Sequence, residues 1–498
     1  MIRQTSVLYL FILCNLSFLL VAQQLPKRTL LLQLDNIPPE QINKGLLMFD
    51  EYRRDAVVSY VRGTVMLLAT KAEADVLKER GFQFTLVMED SNQLNLYKRA
   101  IYGESMKMPA LYHTYERIVE EVDALTKKYP KIIKKILIGK TSQEKRDIYA
   151  VKISNDVEQE QDKPRIMFDG CHHADEVMGA EICMAIIHDL VEKYNIDSRV
   201  TNWVNTYEIF IVPVVNVDGH HVVTHSIDPR WRKNTRDTNG NGALYEYPEG
   251  VDINRNYDFN WAHGGSDEPM SERYRGPFPF SESENRAMRS LANAEKFLLS
   301  ISYHSADEVI YFPWDWRGRK APDDKLLTEI ANGLASSIKT MKGDTCYKAE
   351  YGAGTVGQSY PWLYGRYGTF DFIVETGNGT AIFADSDCTG IMRANLDGAW
   401  YVLNRGTGPG LTGHITDAKT HKPLQATVWL PTIETEDVNR RTTNPTFGRY
   451  WRLLAPGKYY LVLSKEGYET RVMKDVEVRP EGWTTLDIGL QPALKPRN

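Results

Sequence analysis

Residues 164–181 constrain this chain more than any other stretch. They read Pro-Arg-Ile-Met-Phe-Asp-Gly-Cys-His-His-Ala-Asp-Glu-Val-Met-Gly-Ala-Glu. The apolar run at 165–169 predicts a short buried strand, Gly170 breaks it, and an apolar pattern resumes as a helix from Val177. Strand, sharp turn, helix is how an α/β sheet exposes side chains at the carboxyl ends of its strands, where ligands bind. His173 and Glu176 are three residues apart, so one turn aims both at a single point. An imidazole nitrogen and a carboxylate oxygen converging there suit zinc, which takes such ligands at ~2 Å. The pair alone does not decide. His-x-x-Glu arises by chance, and a glutamate is welcome at any helix start.

Other strand ends carry the argument further. The apolar runs at 207–216, 297–303 and 369–374 predict buried strands, the last two delivering His304 and Glu375. Strands are also expected at 132–138 and 148–153, and helices at 115–129, 177–194, 284–294 and 325–339. Strands alternating with helices predict an α/β fold with a mixed, mostly parallel sheet between helical layers. If the strands before His173, His304 and Glu375 are parallel neighbours, all three side chains emerge at one edge. Titratable groups gathered at strand ends favour a site over satisfied structural residues.

A chain of 498 residues implies two or three domains. The net charge of −5, without a basic run, points away from nucleic acid. Arg3 followed by the apolar run 7–22 predicts a signal peptide over 1–22, too short and too interrupted by Asn15 and Ser17 for a membrane anchor. The mature chain is therefore expected to be secreted, extracellular or periplasmic, with no transmembrane span. Its cysteines, Cys171, Cys183, Cys346 and Cys388, permit two disulfides of unassigned pairing, and Cys171 reads equally as a buried free thiol.

Residues 23–107 predict a small α/β unit, with strands at 29–34, 64–69 and 82–87 and a helix at 71–80. It is either a pro-segment, cut near Lys98-Arg99, or a permanent accessory domain. Residues 108–404 form the central domain. Arg-Gly-Thr-Gly-Pro-Gly at 405–410 has a linker's composition. Short strands separated by turns over 411–493 then predict a β-sandwich.

Several motifs, taken in order, resemble the zinc carboxypeptidases of the funnelin type. His-His-Ala-Asp-Glu at 172–176 is similar to the family's first ligand pair, implying His173 and Glu176, and His304-Ser305, followed by Tyr-Phe-Pro-Trp at 311–314, to its third-ligand motif. Pro-Val-Val-Asn-Val-Asp-Gly at 213–219 resembles its structural turn. Trp-Arg-Lys-Asn at 231–234 resembles the segment whose arginine, here Arg232, polarises the scissile carbonyl. Gly-Val-Asp-Ile-Asn-Arg-Asn at 250–256 resembles the clamp on the substrate's terminal carboxylate, implying Asn254 and Arg255. Phe-Ile-Val-Glu at 372–375 resembles the strand ending in the general base, Glu375. The 411–493 unit resembles the transthyretin-like, carboxypeptidase-regulatory sandwich, through Thr-Gly-His-Ile-Thr-Asp at 412–417 and Ala-Pro-Gly-Lys-Tyr at 455–459.

The roles make chemical sense without the name. A three-ligand zinc site leaves one position open. An off-metal carboxylate can move protons, and a fixed arginine can face a developing oxyanion. The resemblance thus implies one Zn2+ and peptide or protein substrates with a free C-terminal carboxylate. Three departures qualify the likeness. Asp175 stands where the family often has arginine. Tyr351 best matches the substrate-capping tyrosine, but the stretch from it to Trp362 is about two residues longer than usual. Tyr360, at the floor of the terminal side-chain pocket, favours apolar or aromatic residues, unless Asp371 or Asp307 turns the pocket towards Lys or Arg.

Asp-Thr-Asn-Gly-Asn-Gly at 237–242 has a calcium loop's oxygen-rich alternation without the closing Glu of an EF-hand, and fits an Asn/Gly turn equally. Two rival readings remain: a peptidoglycan stem-peptide peptidase or amidase on the same scaffold, and a non-catalytic peptide-binding protein.

Overall fold

The computed structural model describes residues 30–36, 57–61, 64–89, 108–246, 248–269, 271–352 and 356–493. The expected signal peptide and Lys98-Arg99 lie outside them.

The first unit comprises β1 (Leu30–Leu34), β2 (Val57–Val61), β3 (Thr64–Ala69), α1 (Lys71–Glu79) and β4 (Thr85–Met88). Its sheet runs β2-β3-β1-β4. Thr70 and Glu73 close a reciprocal capping box at the start of α1. Leu32, Leu34, Leu67 and Leu77 form its small core, while Leu31 joins the main core of the molecule.

The central domain begins with α2 (Tyr115–Lys128), capped by the Thr114 hydroxyl, which accepts from Arg117 N. Its apolar stripe, Ile118, Val122 and Leu125, is buried. Each such side chain contributes about 1.5–3 kcal/mol on burial. There follow β5 (Ile133–Lys140), β6 (Asp147–Ile153), β7 (Arg165–Gly170), α3 (Met178–Glu192), α4 (Ser198–Thr206), β8 (Glu208–Val212), α5 (Val217–Thr224), α6 (Ser283–Glu295), β9 (Leu299–His304) and β10 (Asp307–Phe312). A small hairpin, β11 (Asp315–Trp316) and β12 (Arg319–Lys320), leads to α7 (Asp324–Ser337), β13 (Lys348–Tyr351), α8 (Ser359–Tyr367), β14 (Phe370–Asn378) and α9 (Asp385–Arg405).

One eight-stranded mixed sheet runs β13-β10-β14-β9-β7-β8-β6-β5. Its middle strands β14, β9, β7 and β8 are parallel, and the antiparallel pairings flank them. Every residue of β7, β8 and β9 is buried, as expected for strands covered on both faces. The strands expected to neighbour one another in parallel, β7, β9 and β14, do so.

The C-terminal unit is a sandwich of β15 (Gly410–Asp417), β16 (Thr427–Trp429), β17 (Arg441–Thr442), β18 (Arg449–Leu453), β19 (Gly457–Ser464), β20 (Arg471–Val478), β21 (Trp483–Thr485) and β22 (Ile488–Leu490). One sheet runs β18-β15-β21, with β22 also on β15, and the other runs β17-β16-β19-β20. It docks through a buried ion cluster. Arg452 donates to both Asp323 oxygens at 2.8 and 2.9 Å, and Arg441 and the Tyr364 hydroxyl donate to the same carboxylate.

Some expectations are corrected. All four described cysteines are free thiols, so no disulfide forms among the described residues. Arg405 closes α9 and Gly410 opens β15, so the connection is shorter than the composition of 405–410 indicated. Helices α4, α5, α8 and α9 add to the helices expected from the sequence. No described helix is long and apolar enough to cross a membrane.

Candidate active site

Backbone packing sets the site. A Cβ on Gly170 would lie 2.6 Å from the carbonyl carbon of Gly179, so the end of β7 and the start of α3 touch in a way only glycine permits. Cys171 then takes a left-handed conformation, φ 54°, and the chain swings out into His172 and His173. The 213–219 motif clamps this turn: Val215 N donates to Gly170 O, Asn216 N to Cys171 O, and Asn216 Nδ2 to His172 O. Ala174 N donates to Arg232 O, tying in the Trp-Arg-Lys segment. β9 delivers His304, and β14 places Glu375 as its register partner.

The donor atoms converge. His173 Nδ1 lies 2.8 Å from Glu176 Oε1, His304 Nδ1 lies 2.7 Å from Glu176 Oε2, and the two Nδ1 atoms are 3.1 Å apart. All three residues are buried. Two imidazoles and one carboxylate are a donor set that zinc takes. Around them lies the support that metal-binding imidazoles usually have. His173 Nε2 faces Asp252 Oδ1 at 3.2 Å, a carboxylate that can accept its N–H. Burial alone would push the Glu176 carboxyl up, but His173 and His304 hold it well below the usual range. The residues fit zinc.

Arg232 reaches the same point. Its Nη1 donates to Glu176 Oε1 at 3.2 Å, and its Nη2 donates to Asp252 Oδ2 at 3.4 Å. Arg255 is buried. Its Nη1 donates to the Asn254 carbonyl at 2.8 Å, but its Nε has no partner. Burial pulls its pKa down, against Asp252, which raises it. The Asn254 carbonyl oxygen of the side chain accepts from Ser359 N at 3.1 Å. Glu375, off the triad, is pushed up to about 7 by burial and then by the Glu176 charge. A general base works best with a pKa near the operating pH.

The remaining sequence candidates lie as follows. Tyr351 is on the outer strand β13, its ring against Phe312 and its hydroxyl donated to Asp324, outside the triad's hydrogen-bond network. Tyr360 is fully buried, its hydroxyl donating to Gly352 O at 3.4 Å. Asp371 is also fully buried: Ser300 Oγ donates to it at 2.6 Å, and burial together with Asp169 raises its pKa far above the usual range. Asp307 is exposed at the start of β10. Asp175 is pushed up to about 8 by burial and by Glu176, and its Oδ1 has no partner. In the 237–242 loop, Asp237 spends both oxygens on Gly240 N and Gly242 N, at 2.6 and 2.9 Å. These are the hydrogen bonds of an Asn/Gly turn.

Sequence reasoning missed Asp252. It is fully buried, accepts from Asn254 N, and links His173 to Arg232. The signal was an acid two residues before Asn254 in an otherwise apolar run.

Comparisons with known proteins assign two stretches of the chain to families. Residues 118–440 match the zinc carboxypeptidase family, and residues 410–491 match the carboxypeptidase regulatory-like domain. Carboxypeptidase A2 of Rattus norvegicus is 29% identical over 302 residues, 58% of this chain and 69% of that protein. Carboxypeptidase B2 of Homo sapiens is 30% identical over 274 residues, 53% of this chain and 62% of that protein. The crystal structure of thrombin activatable fibrinolysis inhibitor superposes with a TM-score of 0.56 at 22% identity, covering 76% of this chain and 98% of that one. Carboxypeptidase A from Helicoverpa armigera gives 0.56 at 22%, covering 75% and 96%. With the first match spanning 323 of 498 residues, the chain belongs to the zinc carboxypeptidase family.

Proposed function

We propose that this enzyme is a secreted exopeptidase that hydrolyses the C-terminal peptide bond of peptides or proteins carrying a free terminal carboxylate. Arg255 carries the reading: a buried guanidinium beside Asn254, with an unpartnered Nε, is a donor array awaiting an anion. Arginine pairs with carboxylates in two parallel hydrogen bonds, which a terminal carboxylate can accept.

His173, Glu176 and His304 would hold zinc. When bound, the ion polarises the scissile carbonyl and lowers the pKa of water. Asn254 and Arg255 hold the terminal carboxylate. Arg232 presents fixed positive charge where the carbonyl oxygen becomes anionic. Glu375 takes the water's proton and delivers it to the leaving amine. Tyr360 floors the pocket for the last side chain, and Asp371, buried and held neutral, leaves it suited to apolar or aromatic residues. Tyr351, at the end of β13 and before the longer stretch to Trp362, is the capping candidate. Residues 23–107 are either a pro-segment or a permanent accessory domain, and their Leu31 packs into the enzyme's core. The C-terminal sandwich is a stability module.

The test is mass spectrometry of a peptide library digested by the purified protein. Single residues lost from C-termini, and no cleavage with a chelator present, are the expected result. Internal cleavage or chelator-resistant activity would overturn it.

A further inference from the structure

A second set of donors meets on the face between α2 and α5, apart from the triad. His221 and His225 are four residues apart, so one turn brings their rings together, with centroids 3.9 Å apart. Glu116, in the first turn of α2, spans the pair. Its Oε1 lies 3.9 Å from His221 Nδ1 and its Oε2 lies 3.9 Å from His225 Nε2. One donor atom from each of the three lies within 4.8 Å of the others.

Two details separate this group from an ordinary surface cluster. First, His225 Nδ1 lies 3.1 Å from the His221 carbonyl oxygen. A carbonyl only accepts, so Nδ1 carries the proton and Nε2 keeps its lone pair, turned to Glu116. A backbone carbonyl on one ring nitrogen is how a metal-binding imidazole is oriented through the other. Second, His221 Nδ1 is buried and has no hydrogen-bond partner. An orphaned buried nitrogen is unfavourable unless something else satisfies it.

We propose that Glu116, His221 and His225 form a second divalent transition-metal site, of the kind that binds zinc. Two imidazoles and a carboxylate match zinc's donor preferences, whereas calcium and magnesium want oxygen alone. Tetrahedral donors ~2 Å from an ion stand about 3.3 Å apart. The donors, within 4.8 Å of one another here, must therefore draw in by up to about 1.5 Å, which side-chain rotation of the exposed Glu116 and His225 supplies. The fourth position faces solvent. The ion staples α2, the start of the central domain, to α5. The Asn216 cap of α5 holds the His172–His173 turn, and its far end leads to Trp231 and Arg232. The site is structural, and it stabilises the fold by mass action.

The experiment is equilibrium dialysis of the tag-free full chain against zinc buffered in the micromolar range, followed by elemental analysis. Two zinc equivalents are expected in the unmodified protein. One is expected in each of His221→Ala, His225→Ala and Glu116→Gln, with peptide hydrolysis retained as the report on the fold. Zinc should also raise the melting temperature of the unmodified protein more than that of the variants. A single equivalent in the unmodified protein overturns the proposal. So does a second equivalent that survives all three substitutions, because it would be bound elsewhere.

Discussion

His304 and Glu375 are register partners on the adjacent parallel strands β9 and β14. Partners in a pleated sheet share a face. A donor of the triad and the carboxylate proposed as base are thus held side by side by backbone hydrogen bonds, not by a loop. Rigid placement of this kind favours preorganised chemistry over fit on binding.

The metal site predicts a graded response. His173→Ala, Glu176→Ala and His304→Ala should each lose the ion and all hydrolysis, since two donors hold zinc poorly. Measured in a His225→Ala background, zinc should fall from one equivalent to none. Asp252→Asn should keep the triad but weaken zinc affinity about 10–100-fold, as loss of a supporting carboxylate does. Titration against a competing chelator reads both.

Glu375→Gln should retain zinc and peptide binding and lose about 10²–10⁴ in kcat. The amide cannot accept the water's proton. Isothermal titration with a slowly cleaved peptide, beside single-turnover kinetics, separates binding from turnover. A variant with near-normal kcat would remove Glu375 from the reaction.

Asp323 should govern docking of the sandwich. Burial pushes its carboxyl up, but Arg452 and Arg441 outweigh burial and hold it below its ordinary value. A carboxyl depressed in the folded state contributes stability that is whole above its unfolded pKa, ~3.9, and is lost as pH falls through the folded value. Asp323→Ala leaves two buried guanidinium groups facing each other and should cost about 3–5 kcal/mol near neutral pH. Thermal unfolding across pH should show the gap between variant and unmodified protein narrowing below about pH 4. A gap that is constant with pH would contradict the assignment.

If residues 23–107 are a pro-segment, limited trypsin cleavage near Lys98-Arg99 should raise activity on small peptides. Equal activity before and after the cut would make the unit a permanent accessory domain.

Much of the site was legible because His173, His304 and Glu375 each come just past a short, largely apolar stretch, and such stretches mark strands covered on both faces. What was not legible depends on contacts distant in sequence. Asp252 takes its meaning from His173, 79 residues away. The buried face of α9, Cys388, Ile391, Asn395, Gly398, Ala399, Val402 and Leu403, does recur at helical spacing, but Asn395 and Gly398 interrupt its apolar stripe. The cysteine count permitted disulfides, but Cys171, Cys183 and Cys388 are each buried as single thiols in the packing.

The most direct test of the exopeptidase reading compares kcat/KM for one peptide as the free acid and as the C-terminal amide, in the unmodified enzyme and in Arg255→Ala. A buried charge-assisted pair is worth about 2–5 kcal/mol when one partner is removed. The acid should therefore be strongly preferred by the unmodified enzyme. Arg255→Ala should lose most of its rate on the acid, change little on the amide, and keep its zinc. Equal cleavage of acid and amide by the unmodified enzyme would contradict the carboxylate clamp and make an endopeptidase or amidase the better account.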